Sequence, residues 1–200
     1  MCPLKKRPYS KDSPITYAIK EPLAAVKGGT EIVEKAIAVL QQKTCIRFQK
    51  AVGKVNILFT GLESGDQVYF RCARNDPTCD GIVNMVTKSP EGPYLAPLDV
   101  VIHEISHALG MMHAQNRLDR DNFYDGSSVF DSLPARGKLT NGTVIDVLKP
   151  LRPLMDRFGR DGGIRFTEYK LLNLYYDCPS VCPKKLVCLN DGYQNSTDCT

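Results

Sequence analysis

Apolar positions recur with two different periods along this chain. Residues 14–20 (Pro-Ile-Thr-Tyr-Ala-Ile-Lys) alternate with a period of two, which predicts a strand with one buried face. Ile32, Val33, Ala36, Ile37 and Leu40 then recur at helical spacing, and Gly28-Gly29-Thr30 opens that helix with Thr30 placed to cap it. Residues 45–48 and 54–60 predict two more strands, the second holding Val55, Ile57 and Phe59 on one face; 68–70 predict a further short one. Residues 71–81 read as a polar loop carrying Cys72 and Cys79, and 88–97, with three prolines and a glycine, as another loop. A helix begins near Asp99, its predicted cap. From 114 to 165 the periodicity fades into a stretch rich in Asp, Arg, Gly and Pro, which predicts loops and short turns. Helical spacing returns over 167–176 and stops at Cys178, and 182–200 carry cysteines without a core of their own.

Composition narrows the class only modestly. At 200 residues the chain can build one sizeable core or two small lobes, and 42% hydrophobic with 24% charged residues excludes a disordered chain. No apolar run approaches the ~20 residues of a membrane span. The net charge of +4 is spread along the sequence, which fits a solvated surface and gives no nucleic-acid footprint.

Cysteines change the picture more. Eight of them (2, 45, 72, 79, 178, 182, 188 and 199) include four in the last 23 residues, and no CxxC pair suggests a zinc ribbon. Disulfides and a secreted, extracellular setting are therefore expected. The sequons Asn141-Gly-Thr143 and Asn195-Ser-Thr197 point the same way. Met1-Cys2-Pro3 runs into Lys5-Lys6-Arg7 without an apolar stretch, so a signal peptide is absent from this chain, which reads as a piece of a longer secreted one.

All three histidines fall in one run, His103-Glu104-Ile105-Ser106-His107-Ala108-Leu109-Gly110-Met111-Met112-His113. His103 and His107, four apart on a helix, project toward one point, while Val101, Ile102, Ile105, Ala108 and Leu109 fall on the opposite, core-facing side. Gly110 can adopt positive φ, end the helix and let the chain bring His113 back as a third ligand. Three neutral imidazoles around Zn²⁺ leave a fourth position for water, the mark of a catalytic site. Randomly scattered, three histidines would take this spacing roughly once in seven thousand chains, so solvated or core histidines explain it poorly. Glu104 is placed to act as general base toward the water that zinc activates, which together describes peptide-bond hydrolysis.

HExxHxxGxxH resembles the metzincin signature, and the following Arg117-Leu-Asp119-Arg120-Asp121 resembles the astacin family. Thr44-Cys45-Ile46-Arg47-Phe48 and Leu174-Tyr175-Tyr176-Asp177-Cys178 are similar to that family's strand after the first long helix and to its late helix end. The resemblance implies an α+β, zincin-like, two-lobed protease domain over 14–178, after an N-terminal extension over 1–13. A twisted sheet with two helices would form the first lobe; the second would be irregular with one late helix, and a cleft between them would take a protein or peptide substrate. It implies one zinc per chain on His103, His107 and His113, with Glu104 catalytic. It also implies a Cys45–Cys178 disulfide and, from what remains, a local Cys72–Cys79 pair. Cys182, Cys188 and Cys199, with Asn190-Asp191-Gly192-Tyr193, resemble the first half of an EGF-like module over 179–200, through which a protein partner could bind.

Departures from the family pattern bear on turnover. Ala114 replaces the usual Glu after the third histidine, which removes the expected link between propeptide removal and active-site order. At Leu154-Met155-Asp156-Arg157-Phe158-Gly159, the expected Met-turn, Arg157 or Phe158 stands where the family carries a tyrosine, so no phenol steadies the oxyanion. Arg157 could supply guanidinium donors instead. The stretch from Met155 to Cys178 is also short. A catalytically silent, zinc-containing secreted binding module is the alternative to an active endopeptidase; a purely structural zinc would want a fourth protein ligand, and no histidine is left to provide one.

Overall fold

Parallel strands need a crossover between them, and the first helix supplies it. β1 (Ile15–Ile19) runs into α1 (Gly29–Lys43), which returns the chain to β2 (Phe48–Lys50), parallel to β1. β3 (Val55–Thr60) lies on the other side of β1, also parallel. β5 (Cys79–Asn84) follows it in parallel, and β4 (Tyr69–Cys72) closes the edge antiparallel, giving the order β2-β1-β3-β5-β4. β6 (Val86–Ser89) and β7 (Gly92–Leu95) form a separate antiparallel pair before α2 (Leu98–Ala108), and α3 (Phe166–Tyr175) comes late in the chain. The computed structural model describes residues 8–61, 68–72, 79–89, 92–111, 166–190 and 192–200. The described residues of 1–111 and 164–200 make one compact unit, and most of the expected second lobe lies outside the described residues.

Both faces of the sheet centre are covered, as parallel strands require. Ile57 and Phe59 of β3 join Val33 and Leu40 of α1 and Ile105 and Leu109 in the main core, while Val55, Leu58, Cys79 and Ile82 form a second small cluster. α2 packs on α1 and against β4 and β5, so the histidine helix rests on the main core.

Several local expectations are corrected. Thr30 does not cap α1: Gly28, at φ +83°, is the N-cap, and its carbonyl accepts the Ile32 N–H at 3.0 Å. Asp99 likewise sits inside the first turn of α2, where its charge suits the helix dipole, and Pro97 is the N-cap. The loop expected over 71–81 is strand at both ends, and 88–97 contains most of the β6–β7 pair. Cys79-Asp80-Gly81 looks like a turn, yet pairing on both sides makes it strand. Gly81 is needed there, because a Cβ would stand 2.6 Å from Cε2 of Phe70. The Cys72–Cys79 bridge is not made, and Cys79 keeps a buried thiol. Strand register sets Cys72 opposite Gly81. Cys79 is therefore a diagonal neighbour about 7–8 Å away, beyond disulfide reach.

The C-terminal end of α1 shows how the late segments are tied in. An α-helix leaves its last four carbonyls without helical donors. Here Thr44 Oγ1 donates to the Leu40 oxygen at 2.7 Å, and Arg47 Nη1 to that of Gln41 at 3.2 Å. Thr197 Oγ1 donates to Gln42 at 3.0 Å and Asn173 Nδ2 to Lys43 at 2.8 Å. Two of the four donors thus come from chain more than a hundred residues away. Buried Ser196 adds a hydrogen bond to Asn173 Oδ1 at 3.3 Å. Disulfides join Cys45 to Cys178 and Cys182 to Cys199, while Cys188 is a half-buried thiol. Within the last loop the buried Gln194 accepts from the Leu186 N–H and donates to the Lys184 and Cys199 carbonyls, doing with one amide what a small core would do.

Candidate metal centre

The alternation of faces on α2 sorts its side chains. Val101, Ile102, Ile105, Ala108 and Leu109 are buried in the core, whereas His103 and His107 are half-buried on the other side. Glu104 is 8% exposed, so its carboxyl group is held within the fold and not in the solvent shell of a surface helix. It stands about 60° round the helix from His107.

The helix stops in a way that serves the histidines. Gly110 adopts φ +96°. Its N–H bonds to the His107 carbonyl at 3.0 Å, and the Met111 N–H reaches back to the Ser106 carbonyl at 3.0 Å. That pair of bonds is the Schellman motif, with the glycine in the left-handed position it favours. A side chain at 110 would also meet Pro8 Cδ at 3.0 Å and the Tyr175 hydroxyl at 3.3 Å.

Met111, turned back by the motif, packs its side chain on the core and points its carbonyl at His107, whose Nδ1 lies 2.8 Å away. A carbonyl can only accept, so Nδ1 carries the hydrogen and Nε2 presents a lone pair. Nε2 of His107 is 2.9 Å from Nε2 of His103, with the two rings edge to face at 88°. Two nitrogens held at ~2.05 Å by one tetrahedral ion would stand about 3.3 Å apart. Two imidazole nitrogens converging at close to that spacing, one ring already oriented by an outer carbonyl, fit a borderline-soft divalent ion such as zinc once both are unprotonated.

A second contact holds the same turn. The Tyr176 hydroxyl donates to the Leu109 carbonyl at 2.9 Å, and both residues are fully buried. Neither the Met111 carbonyl nor Tyr176 is among the site residues that the sequence suggests. Gly110 is the available signal for the first, since a glycine that ends a helix in a Schellman motif fixes where the next carbonyl goes.

His113, Met155, Arg157 and Asn141 are outside the described residues, as is Ala114. Among the described residues no group of three metal-type side chains comes together, so the described part of the centre is His103 and His107. Asn195 lies in the C-terminal loop, where its Oδ1 accepts the Thr197 N–H at 3.0 Å. No described helix is long and apolar enough to cross a membrane.

The profile of the Astacin peptidase family matches residues 4–127 of this chain. The chain belongs to the astacin family. Among similar astacins is zinc metalloproteinase nas-19 of Caenorhabditis elegans, 32% identical over 190 residues, covering 85% of this chain and 46% of that protein. Zinc metalloproteinase nas-23 of the same organism is 28% identical over 195 residues, covering 82% of this chain and 34% of that protein. The chain thus spans less than half the length of either relative. High choriolytic enzyme 1, a hatching enzyme zinc-protease from Oryzias latipes, superposes with a TM-score of 0.56 at 18% identity, over 82% of this chain and 88% of that one. At that identity the likeness speaks for the fold, which is the α+β metzincin fold.

Proposed function

We propose that this astacin is a secreted zinc-dependent endopeptidase acting on protein or peptide substrates. The observation that carries the reading is the convergence of His103 and His107 at 2.9 Å, with His107 held in the right tautomer by Met111. His113 completes the ligand set in this reading. Bound zinc supplies a Lewis acid that polarises the scissile carbonyl and acidifies an attacking water. Glu104 takes the proton from that water and returns it to the departing amine. Burial of Glu104 serves this role, because a carboxylate with little bulk water around it exchanges protons with the substrate first.

Secretion is supported by the Cys45–Cys178 and Cys182–Cys199 disulfides, since such bridges persist in oxidising compartments. Residues 179–200 are read as a partial EGF-like segment that offers a protein-binding surface, and Asn141 and Asn195 as glycosylation sites. Loss of the phenol near Met155 slows turnover without abolishing it, by an oxyanion donor's worth of about 10²–10³ in rate, part of which Arg157 restores. A silent binding module is the second reading, favoured by that same change in sequence.

Quenched-peptide cleavage by the purified chain tests this, with Glu104→Ala as control. Cleavage by the wild type that falls at least a hundredfold in the variant is the expected result. A wild type that binds zinc and cleaves nothing would favour the binding module.

A further inference from the structure

We propose that Tyr176 is a positioning residue for the metal centre, acting through the Leu109 carbonyl on the turn that orients His107. The proposal rests on the zinc reading above. Its basis is a continuous set of contacts within one compact unit. The Tyr176 hydroxyl donates to the Leu109 oxygen at 2.9 Å. Leu109 is followed by Gly110, the one left-handed joint in the turn, and then by Met111, whose carbonyl accepts from His107 Nδ1 at 2.8 Å.

What makes Tyr176 a fixed post is its own anchoring. Its N–H bonds to the Leu172 carbonyl at 2.9 Å, and its ring packs edge-on against Tyr175. Two residues on, Cys178 is bonded to Cys45, whose N–H also points at the Cys178 sulfur at 3.1 Å. The hydroxyl therefore arrives from a helix end that is covalently held to the first half of the domain. Leu109 is fully buried, and a buried carbonyl deprived of its donor turns to find another. Re-aiming that carbonyl turns the Leu109–Gly110 peptide and draws the Gly110 N–H away from the His107 carbonyl, which loosens the Schellman turn, and glycine at 110 offers little steric resistance to the rotation. Met111 would move with it, and His107 would lose the acceptor that sets its ring. Outer partners of metal-binding histidines are commonly worth 10- to 100-fold in metal affinity.

The test compares zinc affinity, by chelator competition, for the wild type, Tyr176→Phe and Asn173→Ala, with the cobalt(II) absorption spectrum of each as a signature of ligand geometry. Tyr176→Phe keeps the ring and removes only the donor. Asn173→Ala is a structural control on the same helix, since Asn173 serves the Lys43 and Tyr169 carbonyls and not the turn after α2. The expected result is zinc affinity about tenfold weaker in Tyr176→Phe with an altered cobalt spectrum. Asn173→Ala should unfold more easily yet bind zinc within about twofold of wild type. Equal affinities and spectra for wild type and Tyr176→Phe would overturn the positioning role while leaving the zinc reading intact. Equal weakening in both variants would also overturn it, since the effect would then be one of general stability. A wild type that binds no zinc would sink the zinc reading itself, and the role of Tyr176 with it.

Discussion

His107 and Met111 are joined by a 2.8 Å contact from Nδ1 to the carbonyl oxygen that exists only because the helix ends where it does. They stand four positions apart, about one helical turn, yet Met111 is outside the helix and has been folded back by Gly110. The stop signal of the helix and the outer partner of the candidate metal ligand His107 are thus the same structural feature.

Gly110→Ala should disturb both at once. An L-residue in the left-handed region costs roughly 1–2 kcal/mol, and the new methyl group must also push against Pro8 and Tyr175. Urea denaturation should show a loss of about 1–3 kcal/mol, and zinc titration an affinity at least tenfold weaker. Wild-type zinc affinity in a destabilised variant would mean that the turn does not orient His107.

Replacing Cys45 and Cys178 together by alanine should cost about 2–5 kcal/mol, since the bridge closes a loop with a sequence separation of 133. Equilibrium denaturation in urea gives the number. An unchanged midpoint would show that the other ties of the C-terminal segment suffice alone.

Those other ties are unequal. Asn173→Ala removes a buried amide and its part-buried bond to the Lys43 carbonyl and should cost about 1–3 kcal/mol, whereas Thr197→Val removes a more exposed donor and should cost about 0.5–1 kcal/mol. Thermal unfolding of the two variants checks the order, and a reversed order would contradict the assignment of burial to these bonds.

Alkaline stability offers a separate check on the N-terminal segment. Burial pushes the Tyr9 phenol well above its usual value, with the charges of Asp80 and Cys79 adding to the shift, and its hydroxyl faces the Asn56 carbonyl at 3.4 Å. A raised folded pKa means that the stabilisation is full below the unfolded value of 10.0 and is lost as pH rises beyond it. The stability advantage of wild type over Tyr9→Phe should therefore shrink above pH 10, measured by urea denaturation across that range. A constant advantage would show that Tyr9 ionises as freely folded as unfolded.

Elements with a strong period of their own are legible in the sequence. β1, α1, β3 and α3 lie within a residue or two of where alternation or helical spacing puts them, because each carries a regular apolar period, even though β3 is buried on both faces. β5 is not legible, since Cys79-Asp80-Gly81 becomes strand only by pairing with β3 and β4. The caps fail for a related reason: Thr30 and Asp99 are good caps, but backbone geometry at Gly28 and Pro97 starts each helix earlier. At the metal centre, the i, i+4 histidines and the helix-ending glycine are plain in the sequence. Tyr176 is not, because its contact with Leu109 spans 67 positions and depends on how α3 is tethered.

Zinc content is the most direct test of the central claim that these imidazoles share one divalent ion. Elemental analysis of the purified chain should give one zinc per molecule, and His107→Ala, compared under the same conditions, should retain almost none. A wild type without zinc, or a His107→Ala protein that keeps its full equivalent, would contradict the account.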